Sequence, residues 1–413
     1  MIRYLRQWRR DWYYVFTNEL RMIFCDSGVM VIFFLAGLAY PLIYGIVYGN
    51  GTVDDTPVAV VDLSHSTESR RFIRKMDATR EISIAYTCTD MEEAARLMRE
   101  RRINGIVLFP EDYGDAVTCG RQARISTYAD MSSFLYYKNL LMAVNHVMLS
   151  EMHDIQIQRF SAMGISGQSA IQLVEAMPYE ENIPYNRGFA YGFFFIPAAL
   201  MLVIQQTMFY GSSMLAGTKR EHDRNALLMP ELKGRDISRT LLGRGAAYYL
   251  IYTGLSIYIA VLVPRIFGLP QYGRFGDILV FLLFYLAACV TFSLTFSSLI
   301  TRRETVFVLF LFMSPVCLFL TGFSWPETAF PAFWRLFSYI FPSTFAAHAF
   351  INLSSAGCTL AMIAPQLKAL AIQTVIYYTL AWTAAYLEHR DPAPPGHTYQ
   401  PGETRLGKRG GQV

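Results

Sequence analysis

Charge is scarce in this chain. Of its 413 residues only 16% are charged, while 53% are hydrophobic and 15% aromatic. Soluble domains carry nearer ~25% charge, so an ordinary soluble globule is excluded. Reactive signatures are missing too. A phosphate loop of the form G-x-x-x-x-G-K-S/T is absent, because Gly407-Lys408-Arg409 lacks both the hydroxyl residue and the upstream glycine. Neither an H-E-x-x-H zinc helix nor a G-x-S-x-G elbow occurs. If the protein works with ATP, another chain must hydrolyse it. The six cysteines show no metal spacing, and His65, His146 and His153 are scattered. No metal or cofactor is therefore expected in this chain, and no catalytic residue. The net charge of +4 suits basic loops better than a nucleic-acid surface. The apolar runs lack the paired carboxylates or buried Lys of ion-driven carriers.

What is present is a layout. One apolar run, Val29–Val47, is followed by a polar stretch of well over a hundred residues. Five more apolar runs then crowd the second half: Gly188–Met214, Gly245–Val263, Ile278–Ile300, Val306–Gly322 and Leu367–Leu387. A bilayer-crossing helix needs about 20 mostly apolar residues. The expected fold class is a polytopic α-helical membrane protein of six transmembrane helices with an inserted extracytoplasmic α/β domain. The first stretch, Met1–Leu20, lacks the short apolar core and small-residue cleavage site of a signal peptide. There Leu5, Trp8, Trp12, Val15 and Phe16 recur at helical spacing between Arg3, Arg6, Arg9 and Arg10. That predicts an amphipathic helix on a lipid surface.

Lys and Arg set the orientation. They crowd the N-terminus, the loop Lys219–Arg244, the link Arg302-Arg303 and the tail. With six spans all four segments share one side, against a mild dissent from Arg265 and Arg274. Both termini are expected in the cytoplasm.

The polar insert, 50–186, predicts strands at Pro57–Val61, Ile82–Thr87, Ile103–Phe109 and Ala123–Ala129. Helices are expected over Ser66–Met76, Met91–Arg101, Glu111–Val117 and from Ser132 to about Gln158, with Ser64 or Ser66 and Asp90 as caps. Strands alternating with helices imply a small covered sheet. Cys88 and Cys119 lie here, where export would permit a disulfide. The Pro/Gly-rich tail, 388–413, is expected to be disordered.

Three segments stand out. Gln205-Gln206-Thr207 falls inside the second apolar run, where amides must face protein or a cavity. Interhelical hydrogen bonding and a place on a substrate path both remain open. The loop Lys219–Pro230 predicts a short charged helix with an apolar face, either solvated or docking into a partner's groove. The stretch from Gly322 to Thr344 is aromatic, nearly free of basic residues and broken by prolines. It suits short helices that dip into the outer leaflet and return.

At these segments the chain resembles the permease subunits of ABC-2-type (type V exporter-like) ABC transporters. In the re-entrant outer hairpin, Gly322, Pro326, Pro331, Trp334, Pro342, Ser343 and Thr344 match that family's pattern. In the coupling segment Arg220, Glu221 and Pro230 match, while Asp223 and Arg224 stand where the family has Gly-Thr. The resemblance implies a permease that uses the ATP-binding subunit of an ABC transporter and pairs with a second permease copy. Coupling to the ATPase would fall to Arg220, Glu221, Asp223, Arg224, Leu227, Met229 and Pro230. Of the adjacent amides Gln205 and Gln206, which point about 100° apart on a helix, at least one is expected on the substrate path. It further implies a bacterial inner (plasma) membrane location, contact with membrane lipids and a periplasmic adaptor as a further partner, with no nucleic acid. The segments become an interfacial helix (1–28), a first span (29–49), the external domain (50–186) and spans two to six (187–387). The last carries a coupling loop at 215–244 and outer hairpins at 323–345. The rival reading is a non-transporting receptor or secretion-associated anchor whose external domain binds a ligand.

Overall fold

A computed structural model describes residues 2–49, 53–165, 167–175, 191–222 and 237–390. The chain begins with helix α1 (Ile2–Cys25). Asp26 follows, and its carboxylate accepts the backbone N–H groups of Gly28 and Val29 at 2.9 and 3.2 Å. That cap starts α2 (Ser27–Tyr48). A wider helical turn occupies Val31–Ala36 within it.

Next comes an α/β unit, 50–189. It runs β1 (Thr56–Asp62), α3 (Thr67–Asp77), β2 (Ile82–Cys88), α4 (Met91–Arg99), β3 (Gly105–Phe109), α5 (Tyr113–Thr118), β4 (Ser126–Ala129), α6 (Phe134–Ala162) and α7 (Gln168–Val174). The sheet order is β2-β1-β3-β4. β1 runs parallel to both neighbours, and β4 pairs antiparallel with β3. Ser66 caps α3 and Asp90 caps α4, each accepting the N–H three residues on. Alternation along β1 sends Val58 and Val60 to one face and Ala59 and Val61 to the other. The first pair packs with Phe72, Phe109 and Val144, the second with Ala94, Leu97 and Ile106. A parallel strand covered on both faces has to be apolar throughout. Cys88 is buried, Cys119 is exposed, and both are free thiols.

The other unit joins Met1–Gly49 to the chain from Ala190 onward. Its further helices are α8 (Tyr191–His222), α9 (Ile237–Ile266), α10 (Phe275–Ser297), α11 (Thr305–Leu320), α12 (Ala332–Ser338), α13 (Pro342–Ser354) and α14 (Ala364–Arg390). Four of the described helices, α2, α8, α9 and α10, are long and apolar enough to cross a membrane. The expected fifth span is the 16-residue α11. It would rise about 24 Å, short of a ~30 Å hydrocarbon core. The expected sixth falls in α14, whose 27 residues are diluted by Gln366, Lys368 and Gln373.

Two spans reach further than their apolar cores. α9 starts eight residues before Gly245, and α8 continues through Lys219, Arg220 and Glu221. The start of the charged loop is thus an extension of α8 and not a separate short helix.

α1 and α9 meet at Gly243. A Cβ there would lie 2.8 Å from the Val15 Cβ and 3.1 Å from the Trp12 carbonyl. The substitution Gly243→Val should cost about 1–3 kcal/mol through overpacking. Thermal unfolding in detergent should shift down, and protease should reach α1 sooner. An unchanged melting profile would show that this approach is not close enough to matter.

Candidate functional site

The sequence pattern places aromatic residues of α1 on lipid, but the buried stripe is different. Asp11, Val15, Glu19 and Ile23, spaced by four, are all buried. Trp8, Trp12 and Phe16 are only half-buried. Two carboxylates on the inner face of a helix need counter-charges. Arg239 Nη1 meets Asp11 Oδ2 at 2.8 Å. Glu19 has no exposed surface and holds three groups. Lys219 Nζ lies 2.5 Å from its Oε2, Arg244 Nε lies 3.3 Å from its Oε1, and the Tyr248 hydroxyl donates to Oε1 at 2.5 Å. Arg239 and Arg244, counted in the sequence as loop charges, are therefore buried in α9. Burial alone would raise the Glu19 carboxyl. The charges of Lys219 and Arg244, with hydrogen bonds from Lys219 and Tyr248, override it and lower the pKa to about 2.

Further ion pairs extend this end of the unit. Arg303 grips Asp26, the cap of α2, through two bonds of 2.9 and 3.0 Å. Glu221 Oε1 accepts the Arg303 backbone N–H at 2.8 Å. Arg220 donates to the Ile300 carbonyl at 2.8 Å and to Glu388 Oε2 at 2.9 Å. At Gly217 an added Cβ would stand 2.8 Å from the Arg303 backbone nitrogen. One charged cluster thus gathers an end each of α2, α8, α9, α11 and α14 together with α1. Of the sequence-derived coupling residues it brings together Arg220 and Glu221. Asp223, Arg224, Leu227, Met229 and Pro230 lie outside the described residues, as does the tail 391–413.

The hairpin residues collect after α11. Gly322 has φ +81°, a left-handed conformation that ends the helix. Each proline then opens a short helix: Pro326 precedes the turn Glu327–Ala329, Pro331 precedes α12, and Pro342 is the first residue of α13. The Thr344 hydroxyl donates to the Ser338 carbonyl at 2.9 Å. Trp334 is exposed beside Phe333 and Leu336.

The two glutamines separate. Gln205 is buried, and its Oε1 accepts the Ser343 N–H at 2.6 Å, capping α13. Gln206 is half-buried and pairs with Ser314 of α11, accepting from its hydroxyl at 2.5 Å.

Long apolar helices with a charged helix-end cluster describe a multi-pass membrane protein. The sequence profile of the ABC-2 family transporter protein matches residues 27–383, and the chain belongs to that family. It is accordingly a membrane component of a transporter, and the family in general implies an ABC ATPase partner. No curated protein sequence matches the chain.

Sequence reasoning missed Asp11 and Glu19. Their spacing with Val15 and Ile23 was the available signal, masked by the flanking arginines. Glu19→Gln removes the counter-charge from Lys219 and Arg244 and should cost about 3–5 kcal/mol. In the parent, a carboxyl lowered from 4.5 to about 2 contributes its full stability above pH ~4.5. That contribution is lost as pH falls from there to about 2. Unfolding midpoints of parent and variant should therefore converge across this window. A gap that persists unchanged at pH 2 would refute the assignment.

Gly322→Ala has room, since the nearest neighbour of its Cβ would be His348 at 3.4 Å. The backbone alone resists, by about 1–2 kcal/mol. Denaturation should show that loss; none would mean the left-handed turn is not retained in the membrane.

Proposed function

We propose that the chain is the permease subunit of an ATP-driven exporter, pairing with a second permease copy and driven by a separate ATPase. Six crossings, with both termini in the cytoplasm and the α/β unit outside, fit this reading. The observation that carries it is the charged cluster itself. Lys219, Arg220 and Glu221 stand immediately before the segment 223–236, and Arg239 and Arg244 immediately after it. A docking loop between α8 and α9 would thereby be anchored at both flanks to four other helices. ATPase closure would push this loop, and the helices tied to it would follow. The prolines and aromatic side chains after Gly322 would cap the pathway in the outer leaflet. Gln205 serves the fold in this scheme, and Gln206 is the amide placed on the pathway.

Topology is read with an impermeant maleimide in a chain keeping Cys119 alone. Cys119 is exposed, so cells opened only at the outer membrane should label it, whereas Gly407→Cys should react only after lysis. The reverse pattern overturns the orientation. Coupling is read on the full chain purified from its native membrane. Met229→Arg would force a charge toward an apolar groove at a cost of several kcal/mol. It should strip away the subunit that carries the phosphate loop, together with its ATP hydrolysis. Retention of both would remove the docking role. Gln206→Leu should fold and assemble yet change substrate-stimulated hydrolysis.

A further inference from the structure

A groove of about 1500 Å³ runs beside α1, walled by α9, α10 and α14. Its volume exceeds the ~300–1,000 Å³ of ordinary small-molecule sites. The chemistry is divided. Leu250, Val375 and Tyr249 line the wall, and the first two are 58% and 64% exposed. Trp12 and Phe16 add a stacked aromatic pair, ring centroids 5.4 Å apart. Arg6, Arg9 and Arg10 line the same groove and are exposed.

Those arginines have no carboxylate partner among the described residues. The reason lies on the opposite face of the helix. Asp11 is engaged by Arg239, and Glu19 by Lys219 and Arg244. α1 therefore spends its acids inward and presents three cations above an apolar wall. A free anion would use the cations and leave the wall exposed; a neutral lipid would cover the wall and leave the cations unmatched.

We infer that this groove is a binding site for one anionic phospholipid, its phosphate on Arg6, Arg9 and Arg10 and its acyl chains along α9, α10 and α14. Basic pockets between membrane helices hold acidic headgroups in this way. The site rests on the membrane location alone. Its lining reaches Leu241 and Leu242 at the α9 end of the 215–244 loop but includes none of the coupling residues 220–230, the hairpin or the two glutamines, so its failure and that of the transport reading are separately measurable.

The test uses the full chain in vesicles, with Trp325, Trp334 and Trp382 changed to Phe so that Trp8 and Trp12 report. Quenching by brominated phosphatidylglycerol is compared with quenching by brominated phosphatidylcholine. Each arginine beside an acidic headgroup contributes about fivefold at low salt. The parent should therefore favour phosphatidylglycerol at least about tenfold, less so in high salt. The triple variant Arg6→Gln, Arg9→Gln, Arg10→Gln should bring the ratio close to one. Ala246→Phe narrows the wall with the arginines intact, and it should also reduce the preference in folded protein. Equal quenching in the parent overturns the site, as does a preference that survives either variant. Loss of the preference on adding inorganic phosphate would assign the arginines to a free anion and overturn the lipid.

Discussion

Glu19 sits with no exposed surface between Lys219, Arg244 and Tyr248. An ionised carboxylate in such a place costs several kcal/mol unless cations and donors compensate it. The three compensating side chains come from α8 and α9, and the carboxylate from α1, so the pairing can form only when three helices are already packed. Gly243 permits that packing by leaving no side chain between α9 and Val15. The Asp11–Arg239 pair repeats the arrangement two turns away along α1. Much else at this end follows from it. The position of α8 sets where Arg220 and Glu221 emerge, and these hold Glu388 and the link at Arg303.

Apolar length was legible in the sequence because it does not depend on partners. The runs that begin α2, α8 and α10 could be read within a few residues, and so could the cap Asp90, whose chemistry is local; for α3 the sequence offered Ser64 or Ser66, and Ser66 is the cap. Strands alternating with helices implied a small covered sheet, but the parallel pairing of β1 with both neighbours came only from the fold. Charges were harder. Arg239 and Arg244 satisfy the positive-inside pattern whether they face water or a buried carboxylate, and only the fold distinguishes the two. For the same reason α9 begins eight residues before its apolar core: ion pairs let a buried helix carry arginines where hydropathy alone would end it. The glutamines show the same division. Composition requires that buried amides be paired. It does not say that Gln205 would serve as a cap for α13, whose Pro342 leaves Ser343 as an early free N–H donor.

The two ends of the helical unit are built from opposite chemistry, and α8 joins them. Lys219, Arg220 and Glu221 engage the charged cluster at its end. Gln205 and Gln206 engage α13 and α11, about 21 Å back along the same helix. No proline interrupts this stretch, since Pro197 precedes it. Gly211 and Gly217 are no weak points either, because Phe33 and the Arg303 backbone pack directly against them. Displacing the charged end would thus either carry the amides along or break their bonds. Breaking the Gln205–Ser343 bond strands a buried acceptor and an N–H, at about 1–3 kcal/mol each. Carrying α13 with the helix avoids that cost. A push on the segment after His222 would on this account arrive at the proline-opened helices as a movement of α13, with Gln205 as the attachment.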